Sequence, residues 1–101
     1  MAYTDQYALG EDATFQHKVQ VACATAAIQV QGEALGTYTP TVYQKRQNLA
    51  RRVIANPAGM AVAFARVVVT NVAISSSSSD SDIQFTVNSM WDDVAGVDLN
   101  D

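Results

Sequence analysis

The sequence predicts an all-α fold, a small bundle of about four helices with a flexible N-terminal arm and an acidic C-terminal tail. Three observations carry that prediction. Apolar residues recur at helical spacing in four stretches, residues 12–35, 40–55, 57–71 and 82–95. Two of these stretches open on Thr39-Pro40 and Asn56-Pro57, a capping side chain followed by proline at the first helical position. Five consecutive serines, residues 75–79, divide the last stretch from the others as a flexible polar linker. At 101 residues the chain makes one domain, 1–101, large enough for a thin core.

Residues 1–11 read as an arm. Thr4 and Asp5 can cap a single turn through Tyr7 and Leu9, and Gly10 would end it. Tyr3, Tyr7 and Leu9 give the arm something to dock with, on its own domain or on a neighbour. Asp12 can then cap the first long helix, 12–35, which frays between Glu33 and Gly36 because Gly32 and Gly36 loosen its end.

This first helix has two apolar stripes. At 100° per residue, Phe15, Val19, Ala22, Cys23, Ala26, Ala27 and Val30 share one arc, the ordinary core-facing stripe. Val21, Ala24, Ile28 and Leu35 fall nearly opposite. A small monomer needs one stripe, so the second predicts a central helix or a helix that also packs on another subunit.

The second helix, 40–55, places Val42, Tyr43, Leu49, Ala50, Val53 and Ile54 on one arc, with Arg46 in the middle of it. A guanidinium among apolar neighbours needs an acidic partner or several carbonyls. It can snorkel to the rim, or it can pair with the acidic C-terminal segment of its own chain or of a neighbour. Lys45, Asn48 and Arg52 lie opposite and read as solvated. The third helix, 57–71, has a stripe of Met60, Phe64, Val67 and Val68. Gly59, Val62, Ala63 and Val69 make its other side almost as apolar, with Arg66 the only charge, and such a helix is buried on most sides. Val67–Val69 is β-branched and leaves a short strand open as an alternative. In the fourth helix, 82–95, Ser81 and Gln84 form a capping box, Asp80 and Asp82 suit the N-terminus, and Gly96 ends the helix. Ile83, Val87, Met90, Trp91 and Val94 form its stripe. Phe85 falls off that stripe beside Asp92. Alternation of Ile83, Phe85 and Val87 is the competing strand pattern.

Composition narrows the function. Apolar residues make up 49% of the chain and charged residues 16%, against about 25% charged in an average domain. The surplus apolar residues belong on the surface or in a subunit contact. Net charge is −4 but segregated: residues 1–12 hold three acids and no base, residues 40–66 five of the six bases and no acid, and residues 80–101 six acids and no base. The basic middle can pair with its own acidic end or head to tail with an identical neighbour. The N-terminus carries no basic or apolar signal region, and the longest apolar run, 58–74, is interrupted and short for a membrane span. These features predict a soluble protein, at least initially intracellular, with no membrane partner.

No catalytic constellation is legible. Cys23, the single cysteine, lies on the core stripe and reads as a buried structural thiol. His17 and Cys23 are six residues apart on one helix, hence about 9 Å apart along its axis, and cannot form a dyad. Asp80 and Asp82 lack the glycine and glutamate of a calcium loop, Asp92 and Asp93 do not converge, and neither a phosphate loop nor Cys/His metal spacing is present. The expectation is a protein with no enzymatic activity, no cofactor, no metal and no small-molecule substrate. Lys45, Arg51 and Arg52 could touch phosphates, but the first turn of their helix offers Thr and Val rather than base-reading side chains. Sequence-specific binding to nucleic acid is therefore not expected, and a small DNA-binding regulator is the competing class.

Several stretches resemble small, acidic, all-helical virion proteins of tailed bacteriophages. They are Tyr3-Thr4-Asp5-Gln6, the Ala-rich helix beginning Ala13-Thr14-Phe15, Tyr43-Gln44-Lys45-Arg46, Asp82-Ile83-Gln84-Phe85-Thr86-Val87, and Trp91-Asp92-Asp93-Val94-Ala95-Gly96-Val97. The resemblance covers most of the chain. It implies a connector or adaptor subunit in a homo-oligomeric ring where portal meets tail. Its partners would be copies of itself and portal, tail or other head-completion proteins, and it would sit in the virion after assembly in the host cytoplasm. Capsid decoration and minor tail proteins are the neighbouring alternatives. On this reading the subunit interface is expected at Val21, Ile28, Leu35, Arg46, Arg51, Arg52, Arg66, Phe85, Asp92 and Asp93.

Overall fold

The computed structural model describes residues 13–69, without the side chains of residues 68 and 69, and residues 77–98. The expected arm, the Asp12 cap, the end of the third helix at 70–71, the start of the serine linker and the last three residues of the acidic tail lie outside the described residues. The described chain is all-helical: α1 (Ala13–Gln31), α2 (Pro40–Ala55), α3 (Pro57–Val69) and α4 (Asp80–Ala95). Residues 67–69 continue α3 and residues 83–87 lie within α4, so both strand alternatives give way to helix.

Helix α1 is the hub and packs against all three of the others. Its core-facing arc is buried along its whole length: Phe15, Val19, Ala22, Cys23, Ala26, Ala27 and Val30. Small residues at 22, 26 and 27 let partner helices approach closely, and larger side chains from those partners fill the space. Leu49, Ala50 and Val53 come from α2, Ala61, Phe64 and Ala65 from α3, and Ile83, Val87 and Trp91 from α4. Phe64 and Trp91 meet at the centre, their rings 5.6 Å apart and tilted by 37°. Burying each large apolar side chain contributes about 1.5–3 kcal/mol, which makes this cluster the main source of stability.

The helix boundaries depart from the sequence expectation in two places. Helix α1 ends at Gln31 rather than near Leu35. The Gly32 amide still donates to Ile28 and Gln29 carbonyls at 3.2 and 3.1 Å, and Glu33 N tightens onto Val30 O at 3.0 Å. Beyond that point the chain is drawn toward α2, because the Glu33 carbonyl accepts from the Tyr43 hydroxyl at 3.1 Å. Gly36, at φ 52°, carries the chain through the following turn. Leu35 is therefore exposed in a turn and does not extend the outer row of α1.

Helix α4 starts two residues earlier than expected. Its cap is Ser79, whose Oγ accepts from Asp82 N at 3.1 Å, so Ser81 sits inside the first turn. Gln84 closes no capping box. It reaches across to donate to the Ala22 carbonyl of α1 at 3.0 Å and to Asn88 Oδ1. Gly96 ends α4 in the left-handed conformation, φ 80°, its amide bonded to the carbonyls of Asp92 and Asp93.

The other caps follow the local signals. Thr39 accepts from Val42 N at 3.2 Å. Asn56 ends α2 through its amide on Arg52 O and opens α3 by accepting from Gly59 N at 3.2 Å. A Cβ at Gly59 would come within 2.3 Å of the Asn56 side-chain amide, so a larger residue there would have to displace the capping side chain. Two packing expectations are corrected. Ile54 is exposed rather than in the core, and α3 buries Ala61, Phe64 and Ala65 while Met60 and Val67 are only half-buried.

Candidate functional site

Arg46 holds the polar junction of the fold. Its neighbours on α2 turn it toward the point where the end of α1 and the last turns of α4 converge. The guanidinium donates to both Glu33 oxygens, at 3.0 and 3.1 Å from Nη2 and 3.3 Å from Nε. Nη1 donates to Asp92 Oδ1. Its plane covers the Tyr38 ring at 4.8 Å, a cation–π contact. The Arg46 side chain is only 11% exposed. Burial acts to lower its pKa, but the hydrogen bonds and charges of Glu33 and Asp92 outweigh it and hold the pKa above the ordinary value. The backbone carbonyl of the same residue accepts from Trp91 Nε1 at 3.4 Å.

This junction settles the alternative left open for Arg46: its acidic partner is in its own chain. Arg46 and Asp92, both expected at a subunit interface, meet each other inside the subunit. Glu33 and Tyr38 were not singled out in the sequence, because the turn that delivers them follows from the capture of residue 33 by α2. Two further ties were not legible. Gln47 donates to the Val30 carbonyl at 2.6 Å, and Lys45, expected to be solvated, donates to the Gly96 carbonyl at 3.3 Å. The latter places a cation at the C-terminus of α4, where the helix dipole favours it.

The remaining candidates face outward. On α1, Val21 is 55% and Ile28 67% exposed, one outer row on the helix that forms the hub. On α4, Phe85 is 73% exposed, the most exposed of the large apolar side chains among the described residues. Asp82 and Asp93 are exposed on the same outer side of α4 as Phe85. Arg51, Arg52 and Arg66 are exposed, and Ile54 stands one turn beyond Arg51. An open groove between α1 and α2 is lined by Gln31, Tyr43, Gln44, Gln47 and Arg51. Arg51 donates to Asn48 Oδ1 at 2.5 Å, which tethers it along α2 beside the groove.

The residues considered for chemistry stay apart. His17 is exposed and Cys23 buried on the other side of α1, with its thiol pushed up to about 12 by desolvation. Among the described residues no group of three His, Cys, Asp or Glu side chains could hold a metal ion. No buried side-chain nitrogen or oxygen among them lacks a hydrogen-bond partner. No helix in the described residues is long and apolar enough to cross a membrane.

Comparison with family models, curated proteins and solved structures finds no match for this chain.

Proposed function

We propose that this chain is a non-enzymatic structural subunit of a tailed-phage particle, assembling as a homo-oligomeric ring at the junction of head and tail. The observation that carries the assembly reading is the outer row of α1. The central helix of the bundle is buried on one side yet presents Val21 and Ile28 to solvent on the other. Exposed apolar rows on a small, sparingly charged protein mark surfaces that other chains cover. Phe85 and Ile54 add apolar surface outside the core, and Arg51, Arg52 and Arg66 face outward without a nearby run of acids in sequence. The phage station rests on the resemblance of the sequence to small helical virion proteins. In this setting the partners are copies of the chain and portal, tail or other head-completion proteins, encountered in the host cytoplasm and retained in the virion. A ring with net charge −4 per subunit would also let DNA pass without adhering.

The test is the mass of the purified protein by light scattering at two protein concentrations and two salt concentrations. The expected result is a multiple of the 10.8 kDa chain at the higher concentration. A strict monomer under all four conditions that shifts only on adding duplex DNA would replace this reading with that of a small DNA-binding regulator.

A further inference from the structure

Phe85 stands on the outer side of α4, opposite Ile83, Val87 and Trp91. Among the described residues it takes no part in the core and is 73% exposed. Its surroundings are acidic: α4 carries Asp80, Asp82, Asp92 and Asp93 and no base. Asp92 is occupied by Arg46, whereas Asp82 lies one turn before Phe85 and Asp93 about two turns after it, both exposed.

The α1–α2 face has the opposite character. Its groove is lined by three glutamines, Tyr43 and Arg51. Ile28 lies one turn before Gln31 on α1 and is exposed, as is Ile54 one turn after Arg51 on α2. Helix α2 carries four bases and no acid, and two of those bases, Arg51 and Arg52, point to solvent at its C-terminal end. One face thus offers an aromatic ring flanked by carboxylates, and the other a groove with a guanidinium and an aromatic in its wall.

Resting on the assembly reading above, we propose that these two faces are the two halves of one head-to-tail contact. The occupant of the α1–α2 groove is the Phe85 side chain of a second copy. Its ring lies against Tyr43 and under Arg51, an arrangement aromatic and cation–π geometry both favour. The second copy's Asp82 meets Arg51 and Arg52. The two halves lie on different elements, so each copy can use its ring half on one neighbour and its groove half on another, and such a heterologous contact generates a ring when its rotation closes. The charge complementarity also sets the register, because a copy presented α4 to α4 would bring carboxylates together.

A mixing experiment tests the pairing. One variant, Arg51→Glu with Arg52→Glu, loses the groove half and keeps Phe85. The other, Phe85→Ser with Asp82→Asn, loses the ring half and keeps the groove. Far-UV circular dichroism checks that each stays helical. Each variant alone is expected to fall to the 10.8 kDa monomer, and an equimolar mixture to form a 1:1 dimer that grows no further. If either variant assembles as the unaltered chain does, the pairing is wrong while self-assembly stands. If the mixture of two monomeric variants stays monomeric, the two faces do not meet each other. An unaltered chain that never leaves the monomer overturns both the pairing and the ring.

Discussion

At the residue scale, Arg46 shows how a charge can be kept among apolar neighbours. Its three contacts satisfy the guanidinium from different elements: Glu33 and Tyr38 from the turn after α1, and Asp92 from α4. Glu33 and Asp92 remain about one-third to one-half exposed, so water screens them and the pair is worth less than a fully buried one. Arg46→Ala is expected to cost about 2 kcal/mol in urea unfolding, between the ranges for surface and buried pairs. Arg46→Met should cost less, about 1 kcal/mol, because it fills the space and leaves two carboxylates that water can reach. Equal losses for the two variants would mean that the lost pairing, not packing, accounts for the effect.

Cys23 makes a pH prediction of definite sign. Burial raises the thiol from 9.0 to about 12, so the folded state holds a proton that the unfolded chain releases. The associated stability is fully present below pH 9 and falls by about 1.4 kcal/mol per pH unit as pH rises from 9 toward 12. The difference between the unfolding free energies of the unaltered protein and Cys23→Ala, measured across that window, should follow this slope. A flat difference would show that the thiol reaches solvent.

At the element scale, the start of α4 separates local from tertiary control. Ser79 and Ser81 are chemically identical and two residues apart, and each is followed directly by an aspartate. The structure uses Ser79 as the cap and leaves Ser81 within the turn. Ser79→Ala is therefore expected to cost about 1 kcal/mol, the usual value of a lost serine cap. Ser81→Ala should stay within about 0.5 kcal/mol, as for other surface changes. Thermal unfolding of the two variants checks this, and the reverse order would restore the Ser81–Gln84 box. The deciding interaction is the Gln84 amide on Ala22 O. A capping box needs that side chain to turn back on its own helix, and packing against α1 takes it away.

At the scale of the whole molecule, the distribution of apolar surface matters more than any one contact. The core is closed around Phe64 and Trp91, and the outer row of α1 contributes nothing to it. Val21→Gln with Ile28→Gln should leave the unfolding free energy within about 1 kcal/mol, since both side chains are already more than half exposed. The same double variant is expected to lower the mass seen in light scattering toward that of the monomer. An unfolded variant would place the row in the core, and an unchanged mass would remove it from the interface. Leu35, grouped with this row by periodicity, is not included, because α1 stops before reaching it.

The sequence by itself determined the helices, the two Thr/Asn–Pro starts, the Gly96 stop and the core-facing arcs of α1 and α4. Each of these depends on interactions spanning three or four residues, such as a side chain on a nearby amide or an apolar stripe at fixed angular spacing. It also marked Arg46 as a residue that needs an acid, and Phe85 as one that misses the core. Tertiary structure alone decided which acids Arg46 receives, because Glu33 and Asp92 are 13 and 46 residues away in the chain. It likewise decided that α1 ends at Gln31, that Ser79 rather than Ser81 caps α4, and that Ile54 lies outside. For the end of α1 and the cap of α4, a group with two possible local roles is claimed by another helix: the Glu33 carbonyl by Tyr43, and the Gln84 amide by Ala22. A sequence pattern records what a residue can do locally, and packing in three dimensions selects among those options.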